Sequence, residues 1–237
     1  MMRKVAILVD LELNNHAGGH VKFWERICFA IKENYKDFHL SVFFLGDKNS
    51  KKKVGDYIHF YTLKPILSSK LLRFIGVDAD ATDLFPINPR LFLILKNFDL
   101  IHTTDQLFSM AKTGVYASKI WKIPLTTSLH TDTPAYTEYY LKKIFERLPN
   151  FLESFFLKRI KVHKKLSYKQ KRKSIDYLKH CSKAIIDDQL KYSKENFSTD
   201  LQNKISKLSR GVNTNIFKKK RVSKTKLMKK YGVLENQ

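Results

Sequence analysis

Three stretches of this sequence place chemically capable residues where strands are expected to end. The first, Asp10-Leu11-Glu12-Leu13-Asn14-Asn15-His16-Ala17-Gly18-Gly19-His20, follows the apolar run 5–9 and leads into a segment with helical spacing. Glycines let a backbone approach a ligand closely, and the N–H groups at a helix start attract phosphate. Gly18 and Gly19 are therefore candidates for a phosphate-contacting loop, although an ordinary strand-to-helix loop reads the same way. The pair lacks the GxGxxG spacing of a dinucleotide site. The second stretch is Thr126-Thr127-Ser128-Leu129-His130-Thr131-Asp132-Thr133-Pro134-Ala135-Tyr136, where an apolar strand ends in polar residues. Ligands of open parallel sheets gather at the carboxyl ends of strands, so His130 and Asp132 are expected to face a cleft. Thr133-Pro134 also has a local reading as a helix start. The third is His102, which closes the run 100–102 and precedes Thr103-Thr104-Asp105 at the same sheet edge.

The other histidines carry no such signal. His39, His59, His163 and His180 have no partner spacing that suggests a metal, and His16 and His20 lack a nearby cysteine or carboxylate set. No bound metal is expected. There is no GxSxG elbow, P-loop or RNP-like aromatic motif.

Positioning such residues requires a sheet. Short runs rich in Val, Ile and Phe alternate with longer amphipathic segments, the βαβ rhythm of a parallel sheet covered by helices. The fold class is α/β, with strands expected at 5–9, 40–45, 58–61, 100–102, 125–128, 184–186 and 205–208. Helical periodicity fits 21–34, where Val21, Trp24, Ile27, Cys28 and Ile31 share one face, and also 106–122 and 187–196. Residues 48–53 and 78–83 read as surface loops, and no internal repeat is visible.

With 237 residues and 43% hydrophobic content, the chain can bury one large core, and one domain plus a tail is expected. Its longest apolar runs fall well short of the roughly 20 residues that span a bilayer. The basic start before 5–9 is cut off by Asp10 and Glu12, too soon for a signal peptide. Cys28 and Cys181 show no metal-like spacing, and a cytoplasmic location with both thiols reduced is expected.

The net charge of +23 suits an anionic partner: nucleic acid, a membrane surface or a phosphorylated substrate. Biased base usage accounts for part of the excess. Its densest region is 139–179. There Lys142, Lys143, Arg147, Lys158, Arg159, Lys161, Lys164 and Lys165 are interleaved with Leu141, Ile144, Phe145, Leu148, Phe151, Phe155, Phe156 and Leu157, with an interruption at Pro149. Basic amphipathic helices of this kind lie in a membrane interface, or pack their Phe face on the domain and leave their cations solvated. Nucleic acid is not expected as a partner, since no motif for it appears.

Taken in order, strand–Gly18-Gly19–helix, Phe98-Asp99-Leu100-Ile101-His102, SLHTDTPAY from Ser128, Lys183-Ala184-Ile185-Ile186 and RGVNTNIF from Arg210 resemble the N-terminal domain of family 4 glycosyltransferases. The HTD-x-P-x-Y element of His130, Thr131, Asp132, Pro134 and Tyr136 looks most like the branch of membrane glycolipid synthases. The resemblance implies the N-terminal half of a GT-B fold, a Rossmann-like domain at 1–212, with 213–237 as linker and start of a second domain. It implies retaining transfer of a hexose from a nucleotide sugar to a lipid or lipid-linked glycan, without metal or further cofactor, at the inner face of the membrane. By the same resemblance Gly18 and Gly19 approach the donor diphosphate and His130 sits beside the reacting sugar. His102, Asp132 and Tyr136 are assigned to the acceptor pocket.

The family's donor-binding C-terminal domain has no counterpart before Gln237. The segment 224–231 resembles the short helix that begins the linker to it. The chain alone is expected to be inactive, completed by a donor domain that a separate polypeptide can supply. The rival expectation is a noncatalytic membrane-surface or interaction module that retains the fold.

Overall fold

The computed structural model describes residues 2–34, 36–75, 81–186 and 197–207, together with Met228. Among them eight strands form one sheet in the order β3-β4-β2-β1-β5-β6-β7-β8. The strands are β1 (Arg3–Glu12), β2 (Phe38–Leu45), β3 (Ser50–Gly55), β4 (Ile58–Leu63), β5 (Leu100–Thr103), β6 (Leu125–Leu129), β7 (Lys183–Ile186) and β8 (Ile205–Lys207). All pairings are parallel except β3 with β4. The helices are α1 (Gly19–Asn34), α2 (Pro89–Leu95), α3 (Ser109–Trp121), α4 (Thr133–Phe145), α5 (Asn150–Glu153), α6 (Val162–His180) and α7 (Thr199–Lys204). A 3-10 segment covers Ser69–Ile75 and a π-helical segment Ser154–Ile160.

The continuous apolar runs of β1 and β2 are explained by burial on both faces, as parallel strands require. Leu8 and Phe43 turn to one side and pack with Leu91 and Leu95 of α2, Met110 of α3 and Tyr177 of α6. Ile7, Val9, Val42 and Phe44 turn to the other and meet Val21, Trp24 and Cys28 of α1. Helix α3 lies so close to the sheet that a Cβ on Gly114 would sit 3.0 Å from Thr103 Cγ2 and 3.3 Å from Leu8 Cδ1. A third cluster, Leu129, Leu178, Ala184, Ile186, Phe197 and Leu201, closes the β6–β8 end.

Local chemistry sets the helix ends. Asn88 caps α2 by accepting from Leu91 N at 3.0 Å, with Pro89 at the first helical position. Lys122 and Lys161 adopt left-handed conformations at φ 53° and 56°, ending α3 and the π-helical segment.

Two loop expectations are corrected. Residues 48–53 supply most of β3, an edge strand antiparallel to β4 whose Ser50 hydroxyl meets Thr62 Oγ1 at 2.7 Å. Three successive lysines read as a loop, but on an edge strand they keep the open edge from pairing with another chain. Of 78–83, the described part is not surface: Asp83 is fully buried and its carboxylate accepts from the backbone N–H groups of Ile66, Leu67 and Phe85. The expected helix 187–196, the RGVNTNIF segment and the linker helix 224–231 lie outside the described residues, apart from Met228.

Candidate functional site

Strand β1 is flanked by β2 on one side and β5 on the other. The connections leaving β1 and β5 therefore part in opposite directions and open a crevice at the carboxyl edge of the sheet, the place where α/β sheets bind ligands. Three of the sequence candidates reach this edge: the Gly18-Gly19 loop after β1, His102 on β5 and His130 just beyond β6.

The glycine loop is braced from behind. Leu13 N donates to Leu45 O, His16 N to Asn14 Oδ1 and Ala17 N to Asn14 O, and Lys22 N closes the first turn of α1 on Gly18 O at 3.2 Å. Gly18 and Gly19 themselves are exposed, and a Cβ built on either meets nothing within 4 Å. Neither has the left-handed φ that favours glycine. The folded chain therefore has no internal need for glycine at 18 or 19, and the space beside them is open to a ligand.

His20, Phe23 and Trp24 lie at spacings of three and four on α1 and so share a face. That face holds the histidines. The His20 ring stacks on His130 at 4.3 Å between centroids, Phe23 meets His130 edge-on at 5.2 Å, and Trp24 lies 5.3 Å from His102 and 6.3 Å from His130. Beneath them, Ser128 Oγ is 3.0 Å from His102 Nε2 and 2.8 Å from His130 Nε2, while His102 Nδ1 is 2.9 Å from Thr126 Oγ1. His130 is half-buried at the top of this stack.

His102 is placed differently from a pocket wall. It is only 7% exposed, and burial, aided by the nearby His20, pushes its pKa down to about 4. It is thus a neutral imidazole at neutral pH, enclosed between β6 and α1. Trp24 is equally buried, and its indole N–H has no hydrogen-bond partner among the described residues. Such a donor costs about 1–3 kcal/mol to leave unmade.

Asp132 is the N-cap of α4, accepting from Ala135 N at 3.1 Å, so its carboxylate is engaged with the helix start. Tyr136 is 55% exposed one turn later and stacks with Tyr140. Behind the crevice lie carboxyl groups that sequence reasoning did not single out as a group. Asp10 accepts from Met110 N at 2.7 Å and Asp83 N at 3.2 Å, tying β1 to α3. Burial pushes its pKa up to about 8, and Asp105 and Asp83 add to the rise against the lowering by those N–H groups. Asp105, also raised by burial, ties the β5–α3 loop to Leu107 N and Phe108 N.

The eight basic residues named above are all exposed: Lys142 and Lys143 on α4, Arg147 in the turn after it, Lys158 and Arg159 on the π-helical segment, Lys161 at its end, and Lys164 and Lys165 on α6. Phe145 and Phe156 stack at 5.0 Å and hold α4 to the π-helical segment. Phe155 meets Phe156 edge-on at 5.4 Å yet stays 42% exposed, and Phe151 is 72% exposed. Among the described residues no helix is long and apolar enough to cross a membrane. Nor does any group of three His, Cys, Asp or Glu among them converge to hold a metal ion.

Another flank of α1, carrying Glu25 and Phe29, lines a separate open groove of ≈ 400 Å³ with Asn14, Lys52 and Phe60.

Sequence reasoning missed His20, Phe23, Trp24, Thr126 and Ser128 as partners of the site. The only available signal was that His20 directly follows the glycine pair and shares a helix face with Trp24.

No protein-family model and no curated protein matches the chain. Solved structures do. The crystal structure of Anabaena HepE in complex with UDP and glucose overlaps it with a TM-score of 0.50 and 15% identity, over 97% of this chain and 50% of that one. The chain thus spans about half the length of that protein. Phytolacca americana UGT2 complexed with UDP-2fluoro-glucose and pterostilbene overlaps at a TM-score of 0.38 and 8% identity, over 78% of this chain and 48% of that one, too loosely to carry an inference. At these identities the likeness shows the fold, a Rossmann-like α/β domain of the GT-B type found in glycosyltransferases.

Proposed function

We propose that the chain is the acceptor-side half of a family 4-type glycosyltransferase of the membrane glycolipid synthase branch. It would move a hexose, with retention, from a nucleotide sugar to a lipid or lipid-linked glycan. The observation that carries this reading is the pairing of an open glycine loop with His130, held over the same crevice by His20 and Ser128. Backbone N–H groups at Gly18, Gly19 and the start of α1 suit the charge that builds on a leaving diphosphate. His130 is placed to hydrogen-bond the transferred sugar. The complex of HepE with UDP and glucose makes a uridine nucleotide sugar the first donor to try.

The exposed Phe151 and Phe155 among surrounding lysines and arginines support contact with an anionic inner-membrane surface, where the aromatic rings enter the acyl boundary and the cations meet head groups. That contact would bring a lipid acceptor to the crevice. The donor-side domain belongs to a further stretch of chain or to a second polypeptide, and the described half alone would transfer little.

The test is transfer of labelled glucose from UDP-glucose to a lipid extract by this chain joined to a donor-side domain. Replacing His130 with Ala should lower turnover roughly 100-fold or more, the scale of losing one transition-state hydrogen-bonding group. Unchanged turnover removes His130 from the mechanism, whereas no transfer by the unsubstituted protein favours a noncatalytic module that retains the fold.

A further inference from the structure

The hydroxyls between the histidines decide which ring nitrogens carry protons. His102 is buried and neutral, so one of its nitrogens donates and the other accepts. Its Nδ1 faces Thr126 Oγ1 at 2.9 Å, and that hydroxyl also has Ile101 O at 3.5 Å. A carbonyl oxygen only accepts, so both Thr126 contacts are hydrogen bonds at once only when the Thr126 hydrogen points to Ile101 and the Thr126 oxygen accepts from His102 Nδ1–H. His102 Nε2 is then bare and accepts the Ser128 hydrogen across 3.0 Å. Ser128 has a single hydrogen. Having given it to His102, its oxygen can only accept across the 2.8 Å to His130, which must therefore donate from Nε2.

We infer that His102 is a positioning residue which, through Ser128, fixes His130 as the Nε2–H tautomer and leaves His130 Nδ1 as a hydrogen-bond acceptor. Whatever meets Nδ1 must donate to it. On the reading given above, on which this clause rests, a sugar group that reaches Nδ1 is a hydroxyl rather than a carboxylate, which offers only acceptors. The two tautomers are linked, because the Ser128 hydroxyl between the rings has one hydrogen to give. The relay runs from β5 through β6 to the crevice and is closed off by Trp24.

The test is a long-range proton–nitrogen NMR spectrum of the imidazoles of the 237-residue chain, recorded at mildly alkaline pH where unperturbed histidines are neutral. His102 should be the Nδ1–H tautomer, the opposite of the one imidazole prefers in water, and His130 the Nε2–H tautomer. The decisive variant is Thr126→Val, which does not alter His130 or its contacts. It removes the acceptor for His102 Nδ1–H, so His102 should change to Nε2–H, reverse the Ser128 hydrogen and shift His130 towards Nδ1–H. Ser128→Ala supplies a second arm: His102 should keep Nδ1–H while His130 loses its single fixed tautomer. An Nε2–H His102 in the wild type overturns the inference, as does an unmoved His130 in Thr126→Val once His102 has changed. These readings need no substrate. Wrong tautomers therefore sink the relay and leave the transferase reading intact, whereas correct tautomers without any sugar transfer by the joined protein sink the transferase reading alone.

Discussion

Replacing Asp10 with Asn should remove a pH dependence of stability that runs opposite to that of most carboxylates. Asp10 is 3% exposed, and its pKa stands near 8 in the fold against an ordinary 3.8. Between those values the unfolded chain has lost the proton and the folded chain keeps it, so folding takes up a proton and stability falls as pH rises. The stabilisation is complete below the unfolded value and gone above about pH 8. His102 works the other way, because its folded value near 4 lies below its ordinary 6.5. Its contribution is lost as pH falls from 6.5 towards 4, so the two groups oppose each other there, and above it Asp10 acts in the same direction as Asp105, whose pKa burial also raises. The Cys28 and Cys181 thiols, pushed up to about 12 by burial, act at higher pH. One proton is worth about 1.4 kcal/mol per pH unit, so the wild type should lose about 2 kcal/mol between pH 6.5 and 8. Urea unfolding midpoints at several pH values across that window measure it. Asp10→Asn keeps the shape but loses one acceptor for Met110 N or Asp83 N, so its baseline drops by about 1–3 kcal/mol while its slope flattens. Equal slopes in both proteins, or a wild type that gains stability over the window, refute the reasoning.

Three further outcomes follow from the same structure. Gly114→Val should lower the thermal midpoint by an amount equivalent to about 1–3 kcal/mol, because even its Cβ falls 3.0 Å from Thr103 Cγ2 beneath α3, and calorimetry reads it. Gly19→Ala should leave the melting temperature unchanged or slightly higher, since its Cβ meets nothing, while weakening the binding of UDP-glucose; a loss of stability would place the glycine's role in the fold. Phe151→Ser with Phe155→Ser should cut binding to anionic phosphatidylglycerol vesicles tenfold or more in a flotation assay, as two exposed rings leave the interface, while stability falls by no more than about 0.5–1.5 kcal/mol, the worth of the edge contact between Phe155 and Phe156. Undiminished binding would confine the membrane contact to charge.

The core strands were legible because parallel strands buried on both faces leave unbroken apolar runs such as Ala6 to Val9 and Val42 to Leu45. Strand β3 was not, since Lys51, Lys52 and Lys53 are chosen for an exposed edge and carry no period-two pattern. Helix α2 announced itself only by Asn88-Pro89, too short a signal beside the apolar run that follows. At the site, the position of Gly18, Gly19 and His130 followed from where strands end. The surroundings of His130 did not, because they join α1 to β5 and β6 across about a hundred residues of chain, and nothing local shows that Ser128 stands between two imidazoles. His102 looked like a cleft residue for the same reason: its strand was readable, but the burial imposed by Trp24 was not.

The central claim is that the glycine loop and His130 together receive a nucleotide sugar. Titrating UDP-glucose into the isotopically labelled 237-residue chain joined to a donor-side domain, and following amide and imidazole signals, tests it most directly. The account predicts saturable shifts at the Gly18 and Gly19 amides and at the His130 ring, with His20 moving alongside. Shifts confined to other places, such as the groove of Glu25, Phe29 and Lys52, or no shifts at all at saturating nucleotide sugar, would contradict it.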